Sequence, residues 1–315
     1  MNRKIYFRAD AGVDIGYGHF TRTLALADML KDDFECTFYT VCPTPYQIEE
    51  MRKVCKHVSL ETDTFFNDFL ELLTGDEIVV LDNYFYTTAY QQRIKEKGCC
   101  LVCIDDVHDK HYVADVVINH GMVNRNKFSG ETWTRYCLGL KWALLREPFL
   151  KIKQEAISNK QDNIIVCMGG ADPFNLNRLI LEHLFGRIGD KKLVVILGIA
   201  SEIVETEFPG VKFYRNLSAS NIVDLFQQSK VGIFSSSTVC IEALVMGMTI
   251  YAGYYVDNQK EFYHYLTGNH YVYGLGNLLS SSFSMPEKLD FISPFDRSIM
   301  YGIKERYIQL FEKLS

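Results

Sequence analysis

The chain has 315 residues, 48% of them apolar and 23% charged, which is enough for two domains with cores of their own. Its net charge of −6, without a cluster of Lys and Arg, argues against a nucleic-acid surface, because phosphate backbones need concentrated positive charge. No window reaches the roughly 18 uncharged apolar residues of a membrane span, and the opening MNRKIYFRAD lacks a leader's apolar run, so the expectation is a soluble, cytoplasmic protein.

The predicted elements alternate from the start. KIYFRA reads as a strand, a glycine-rich turn follows, and HFTRTLALADMLK carries helical periodicity. ECTFYTV, EIVVLDN, CCLVCIDD and DVVINH are further strands, with helices predicted at PYQIEEMRKV and TTAYQQRIKEKG. Strands separated by amphipathic helices imply a parallel sheet. Cys100 and Cys103 form a C-x-x-C inside the fourth of these strands, where residues three apart face opposite ways and cannot share a metal. Cys36, Cys167 and Cys240 lie in apolar segments, as small buried side chains do in a reducing compartment. His108 and His111 in DVHDKH read as solvated loop residues, so neither a metal nor a cofactor is expected.

The polar stretch KIKQEAISNKQDN, residues 151–163, marks a predicted boundary, after which the pattern restarts. NIIVCMGG, KLVVILG, VKFYRN, VGIFSSS and MTIYAGYY are the second set of strands, with a helix after the first, third, fourth and fifth. The tail DRSIMYGIKERYIQLFEKL has helical spacing and reads as a closing helix that packs back across the domain junction. The expected plan is therefore two Rossmann-like α/β domains, residues 1–150 and 151–295, facing an inter-domain cleft, with residues 296–315 as the closing helix.

Three motifs fall at the carboxyl ends of predicted strands, where ligands of such sheets bind. In IGYGHFTR, Gly16 and Gly18 let the chain turn and a ligand approach, and His19 stands beside N–H groups that attract anions. His19 is then either a proton carrier or merely a polar residue at a helix start. MGGADP offers Gly169 and Gly170 after the first strand of the second half. In FSSSTVCIEALVMG, the hydroxyls of Ser236, Ser237 and Thr238 are placed to cap a helix and leave N–H groups for a diphosphate. Glu242, about one turn further on, either accepts hydrogen bonds from a ribose diol or complements the helix dipole.

In order and spacing, RADAGVDIGYGHFTRTLALA, LDNYFYTTAYQ, CIDD, DVVINH, MGGADPFNLN, STVCIEALVMG and DNQ resemble the UDP-sugar hydrolases of pseudaminic acid biosynthesis, over residues 8–259. The most specific part, R-x-D-x(4)-I-G-x-G-H-x-x-R, is satisfied by Arg8, Asp10, Ile15, Gly16, Gly18, His19 and Arg22. The resemblance implies a two-domain glycosyltransferase B-like fold and metal-independent hydrolysis of a UDP-linked 2,4-diacetamido-2,4,6-trideoxy-altrose. Water would attack the anomeric carbon with inversion, releasing UDP and free sugar. It also implies His19 as the group that activates water, with Asp10 orienting its ring, and Arg8, Arg22, Tyr84, Asn258 and Gln259 lining the sugar. Gly16, Gly18, Gly169, Gly170, Ser236, Ser237, Thr238 and Glu242 would hold the UDP, and LSASNI, from Leu217 to Ile222, resembles a segment whose backbone reads uracil. Two departures stand out: Ser235 and Ser236 replace a usual glycine pair, and the chain reads Asn119, His120, Gly121 where relatives often have I-N-x-N. An inverting glycosyltransferase of the same architecture, or a UDP-sugar-binding protein without turnover, remain alternatives.

Overall fold

The computed structural model describes residues 3–12, 15–152, 161–170, 172–198 and 201–314. The chain divides into two compact units, Met1–Glu147 with Met300–Ser315, and Pro148–Ile299. Of the polar stretch expected as the boundary, residues 153–160 lie outside the described residues.

The first unit runs β1 (Lys4–Ala9), α1 (Gly18–Leu30), β2 (Glu35–Val41), α2 (Pro45–Val54), β3 (Lys56–Leu60), α3 (Phe65–Glu71), β4 (Ile78–Asp82), α4 (Thr88–Glu96), β5 (Cys100–Ile104), β6 (His111–Tyr112), β7 (Val116–Asn119), β8 (Ser129–Gly130) and β9 (Arg135–Leu138). Seven of these form one sheet in the order β3-β2-β1-β4-β5-β7-β9, while β6 pairs with β8. Neighbours in the large sheet are parallel. The continuous apolar runs IVVLD and VVIN are buried along their whole length, because a parallel sheet is covered by helices on both faces. Helix starts follow local chemistry: Thr44 caps α2 in a capping box with Gln47, and Thr87 Oγ1 accepts from the Tyr90 amide to cap α4.

Between the units the chain passes through α5 (Glu147–Leu150). The second unit comprises β10 (Asn163–Cys167), α6 (Leu176–Leu184), β11 (Leu193–Ile196), β12 (Lys212–Tyr214), α7 (Ala219–Gln227), β13 (Ser229–Ser235), α8 (Thr238–Val245), β14 (Thr249–Tyr254), α9 (Asp257–Gly268) and β15 (Tyr273–Asn277). Its six-stranded sheet has the order β12-β11-β10-β13-β14-β15 and is again parallel throughout. In both sheets the chain fills one side and then reverses, so the switch points lie between β1 and β4 and between β10 and β13. No disulfide forms among the described residues: Cys103, Cys167 and Cys240 are buried and Cys100 is half-buried.

The C-terminal α10 (Ile303–Glu312) belongs to the first unit. Phe311 meets Phe34 at 6.3 Å, and the fully buried Tyr307 lies edge-on to Trp142 and donates its hydroxyl to the Trp142 carbonyl at 2.6 Å. Tyr307→Phe leaves that buried carbonyl without its partner and is expected to lower the unfolding free energy by about 1–2 kcal/mol. Chemical denaturation checks this; an unchanged midpoint contradicts it.

Candidate active site

At the first switch point β4 ends in Asp82, a wholly buried carboxylate. A charge there costs several kcal/mol unless opposite charge and donors meet it. They come from one face of α1. Arg22 donates from Nε and Nη2 to the two Asp82 oxygens at 2.6 Å each, Thr23 Oγ1 donates at 2.8 Å, and His19 Nδ1 lies 2.6 Å from Oδ1. Burial works to raise the Asp82 carboxyl, but the Arg22 guanidinium, followed by His19, outweighs it and holds the group well below the usual carboxylate range. Asp82 is therefore ionised and the network assigns the Nδ1 proton to His19, which donates to it. In a neutral ring so oriented, Nε2 is the acceptor, which is the arrangement of a histidine general base.

Asp106, just past β5, extends the network. Its Oδ2 accepts from Arg22 Nη1 at 2.9 Å and from the Tyr84 hydroxyl at 3.1 Å, and the Tyr84 ring stands edge-on to His19 at 4.5 Å between centroids. His120, past the end of β7, is buried; burial, then Arg22, lowers it to about 4, so its imidazole is neutral at physiological pH.

This geometry corrects the expectations for Asp10, Arg8 and Arg22. Asp10 does not orient His19: it receives the Arg8 guanidinium on both oxygens, accepts from the Val41 amide at 2.8 Å and Thr40 Oγ1 at 3.1 Å, and donates its own amide to Asn83 Oδ1. The carboxylate that faces His19 comes from β4 instead, because β4 lies beside β1 in the sheet and its end reaches α1. Arg8 is fully buried and Arg22 nearly so, each with its fork committed to carboxylates, so both brace the site from within rather than line a sugar. Gly16 has φ +73 and closes a small loop with Gly12, whereas Gly18 opens α1; a Cβ at either position would meet nothing within 4 Å, so both border open space.

In the second unit the ends of β10, β13 and β14 converge. Gly169 has φ +101, and a Cβ there would lie 3.7 Å from both the Ser235 hydroxyl and the Tyr255 hydroxyl. The Ser236 amide donates to the Gly253 carbonyl at 2.8 Å, and its hydroxyl is buried. Ser237 occupies the N-cap position of α8, but the expected hydroxyl cap is not made: its Oγ lies 3.2 Å from Ser235 Oγ instead. No side chain therefore caps the first turn of α8, where the Cys240 amide donates to the Ser237 carbonyl at 2.9 Å. Thr238 opens α8, and Glu242 lies buried beyond its first turn, which sets aside the reading of Glu242 as a first-turn acid. Gly170 is exposed beside Gly169. Gln259, in the first turn of α9, accepts from the Tyr255 amide through Oε1 at 3.2 Å, with Asn258 preceding it. Leu217 and Ile222 flank the start of α7, capped by Ser218, after the edge strand β12.

Asp82, Asp106 and His120 are the functional candidates that residue-level reading of the motifs misses. The signal that finds them is positional: each stands at or just past the carboxyl end of a strand near the switch point. Among the described residues, no group of three His, Cys, Asp or Glu side chains is arranged to hold a metal ion, and no helix is long and apolar enough to cross a membrane.

Arabidopsis thaliana UGT89C1 complexed with UDP-L-rhamnose superposes with a TM-score of 0.62 at 9% identity, covering 100% of this chain and 94% of that one. Acinetobacter baumannii MurG gives 0.59 at 12% identity over 99% of this chain and 90% of that one. The chain has the glycosyltransferase B fold. Sequence likeness within this fold is distant, and no protein-family model matches. The chain is 26% identical over 275 residues to the UDP-2,4-diacetamido-2,4,6-trideoxy-beta-L-altropyranose hydrolase of Campylobacter jejuni, covering 82% of this chain and 93% of that protein. It is 26% identical over 256 residues to the spore coat polysaccharide biosynthesis protein SpsG of Bacillus subtilis, 76% of this chain and 74% of that protein. An uncharacterised protein of Methanocaldococcus jannaschii is 27% identical over 282 residues, and there the match spans 82% of this chain but 57% of the relative.

Asp82→Asn removes the buried carboxylate that two arms of Arg22 engage, leaving the buried guanidinium with only the partly exposed Asp106, and is expected to destabilise the fold by about 3–5 kcal/mol at neutral pH. Because its folded-state value is depressed, Asp82 contributes fully above the ordinary carboxylate range of about 4 and loses that contribution as pH falls toward the folded value. The stability gap between wild type and variant is therefore expected to narrow in acid. Urea titrations at neutral and acid pH measure it, and a constant gap contradicts the assignment.

Proposed function

We propose that the protein hydrolyses a UDP-linked 2,4-diacetamido-2,4,6-trideoxy sugar to UDP and free sugar, a step of nonulosonic acid biosynthesis. The observation that carries this reading is the His19–Asp82 pair at the carboxyl edge of the first sheet. The similarity to the Campylobacter jejuni hydrolase supports the substrate class.

In this reading His19 Nε2 takes a proton from one water as its oxygen bonds to the anomeric carbon from the face opposite the diphosphate. The carbon–oxygen bond to the diphosphate breaks, its electron pair leaves with UDP, and the sugar's configuration inverts. Asp82 stabilises the imidazolium that forms, without itself taking the proton. UDP is already a good leaving group, so the remaining task is to hold the diphosphate and stabilise its growing charge. The first-turn amides of α8, with Ser236, Ser237 and Thr238, suit that task, and Glu242 suits the ribose diol. Gly16, Gly18, Gly169 and Gly170 leave room for the ligand, Tyr84, Asn258 and Gln259 face the sugar, and the Leu217 to Ile222 segment takes the uracil. An inverting glycosyl transfer to an acceptor other than water is the second reading, favoured by the glycosyltransferase B neighbours.

A screen of UDP-linked amino sugars without acceptor separates the two: UDP release alone supports hydrolysis, and release only on adding an acceptor supports transfer. His19→Ala is expected to lower kcat roughly a hundred- to ten-thousand-fold while the UDP-induced rise in melting temperature persists. Glu242→Ala is expected to reduce that thermal shift. Unchanged turnover in the first variant, or an equal shift in the second, removes the residue from its role.

A further inference from the structure

We propose that Asp106 is a positioning residue that holds the His19 site together through Arg22 and Tyr84. The contacts form a closed ring. His19 bonds Asp82, Asp82 bonds Arg22, Arg22 bonds Asp106, Asp106 accepts from Tyr84, and the Tyr84 ring returns to His19. Asp82 and Tyr84 belong to the end of β4 and the loop after it, Asp106 to the loop after β5, and His19 and Arg22 to α1. Three separate segments are thus tied at one point.

The oxygen Asp106 Oδ2 is the knot, receiving both the Arg22 and the Tyr84 donor. The guanidinium is planar, so engaging Asp82 with Nε and Nη2 while Nη1 reaches Asp106 fixes the angle between the two carboxylates. Arg22 Nη2 also lies 3.1 Å from His19 Nδ1, close enough that any slide of the guanidinium alters the competition for Asp82 Oδ1. Tyr84 is about one-third exposed, and its hydroxyl bond to Asp106 restrains the ring against His19. A second tie, Lys110 Nζ to the Tyr84 carbonyl at 3.0 Å, joins the same two loops. Asp106 itself keeps 27% of its side chain exposed, so its replacement does not open a buried hole.

The kinetic consequence rests on the proposed hydrolysis; the consequence for the His19 hydrogen bond does not. Proton and nitrogen NMR of histidine-labelled protein reads that bond directly, the His19 Nδ1–H resonance being assigned by its loss in His19→Gln. In wild type it is expected to be protected from exchange with water. Asp106→Ala is expected to make exchange too fast to observe, Tyr84→Phe to weaken protection, and Asp106→Asn, which keeps an acceptor oxygen for both donors, to restore it. Full protection in a folded Asp106→Ala protein overturns the proposal. With the UDP-linked 2,4-diacetamido-2,4,6-trideoxy-altrose as substrate, Asp106→Ala is expected to lower kcat roughly ten- to a hundred-fold with little change in KM, and Asp106→Asn to recover most of it. Equal losses in both variants mean that the charge and not the positioning matters, and also overturn it. If wild type releases no UDP from this sugar, the functional reading fails and the NMR arm decides the positioning role alone.

Discussion

Asp82 carries a charge at a place from which water is excluded, and the organisation of the first unit's functional edge follows from meeting it. The donors that do so, from His19, Arg22 and Thr23, lie within five consecutive residues of α1. Satisfying one carboxylate from three side chains of one helix sets both how deep the helix lies and which face it turns to the sheet. The glycines before it follow from the same demand. With α1 held so that His19 enters the network in its second position, the chain leaving β1 has to turn sharply, and Gly16 supplies the left-handed backbone that does so.

The two units repeat a topology but fill it with opposite chemistry. β13 stands to β10 as β4 stands to β1, each across a switch point. In the first unit that strand ends in a buried carboxylate answered by arginine; in the second it ends in Ser235, followed by two more serines and a helix whose first turn lacks a side-chain cap. A fixed negative charge with a histidine suits proton transfer, whereas uncharged hydroxyls at a helix start suit an anion. Gly169 belongs to the second arrangement, since the Ser235 and Tyr255 hydroxyls both approach its backbone and its φ favours glycine.

Strands buried on both faces are the most legible part of the chain, because IVVLD, VVIN and NIIVC are unbroken apolar runs bounded by polar residues. Strands β3 and β15 are not, for physical reasons. KHVSL is a largely exposed edge strand whose polar residues hide its pairing, and YGLGN carries two glycines that lower its strand propensity. Helix α3 spans only seven residues, too few to display a period. In the site, His19 and its glycines are legible because their spacing is local. Asp10 is misread because nearness in sequence stands in for nearness in space, while the true partner of His19 lies 63 residues away. Periodicity says nothing about such a pairing. The rule that ligands gather at the carboxyl ends of strands does narrow it, since LDN and IDD both end strands beside β1 or its neighbour. The missing α8 cap has a similar cause: Ser237 stands where a cap is expected, and only the fold reveals that a second hydroxyl two residues earlier engages it.

In the proposed hydrolysis, water deprotonated by His19 attacks carbon and not phosphorus. Turnover of the UDP-sugar in water enriched in heavy oxygen, followed by mass spectrometry of both products, tests this directly. The account predicts label on the anomeric oxygen of the free sugar and unlabelled UDP. Label in the terminal phosphate of UDP means attack at phosphorus, which contradicts the mechanism and the role given to His19.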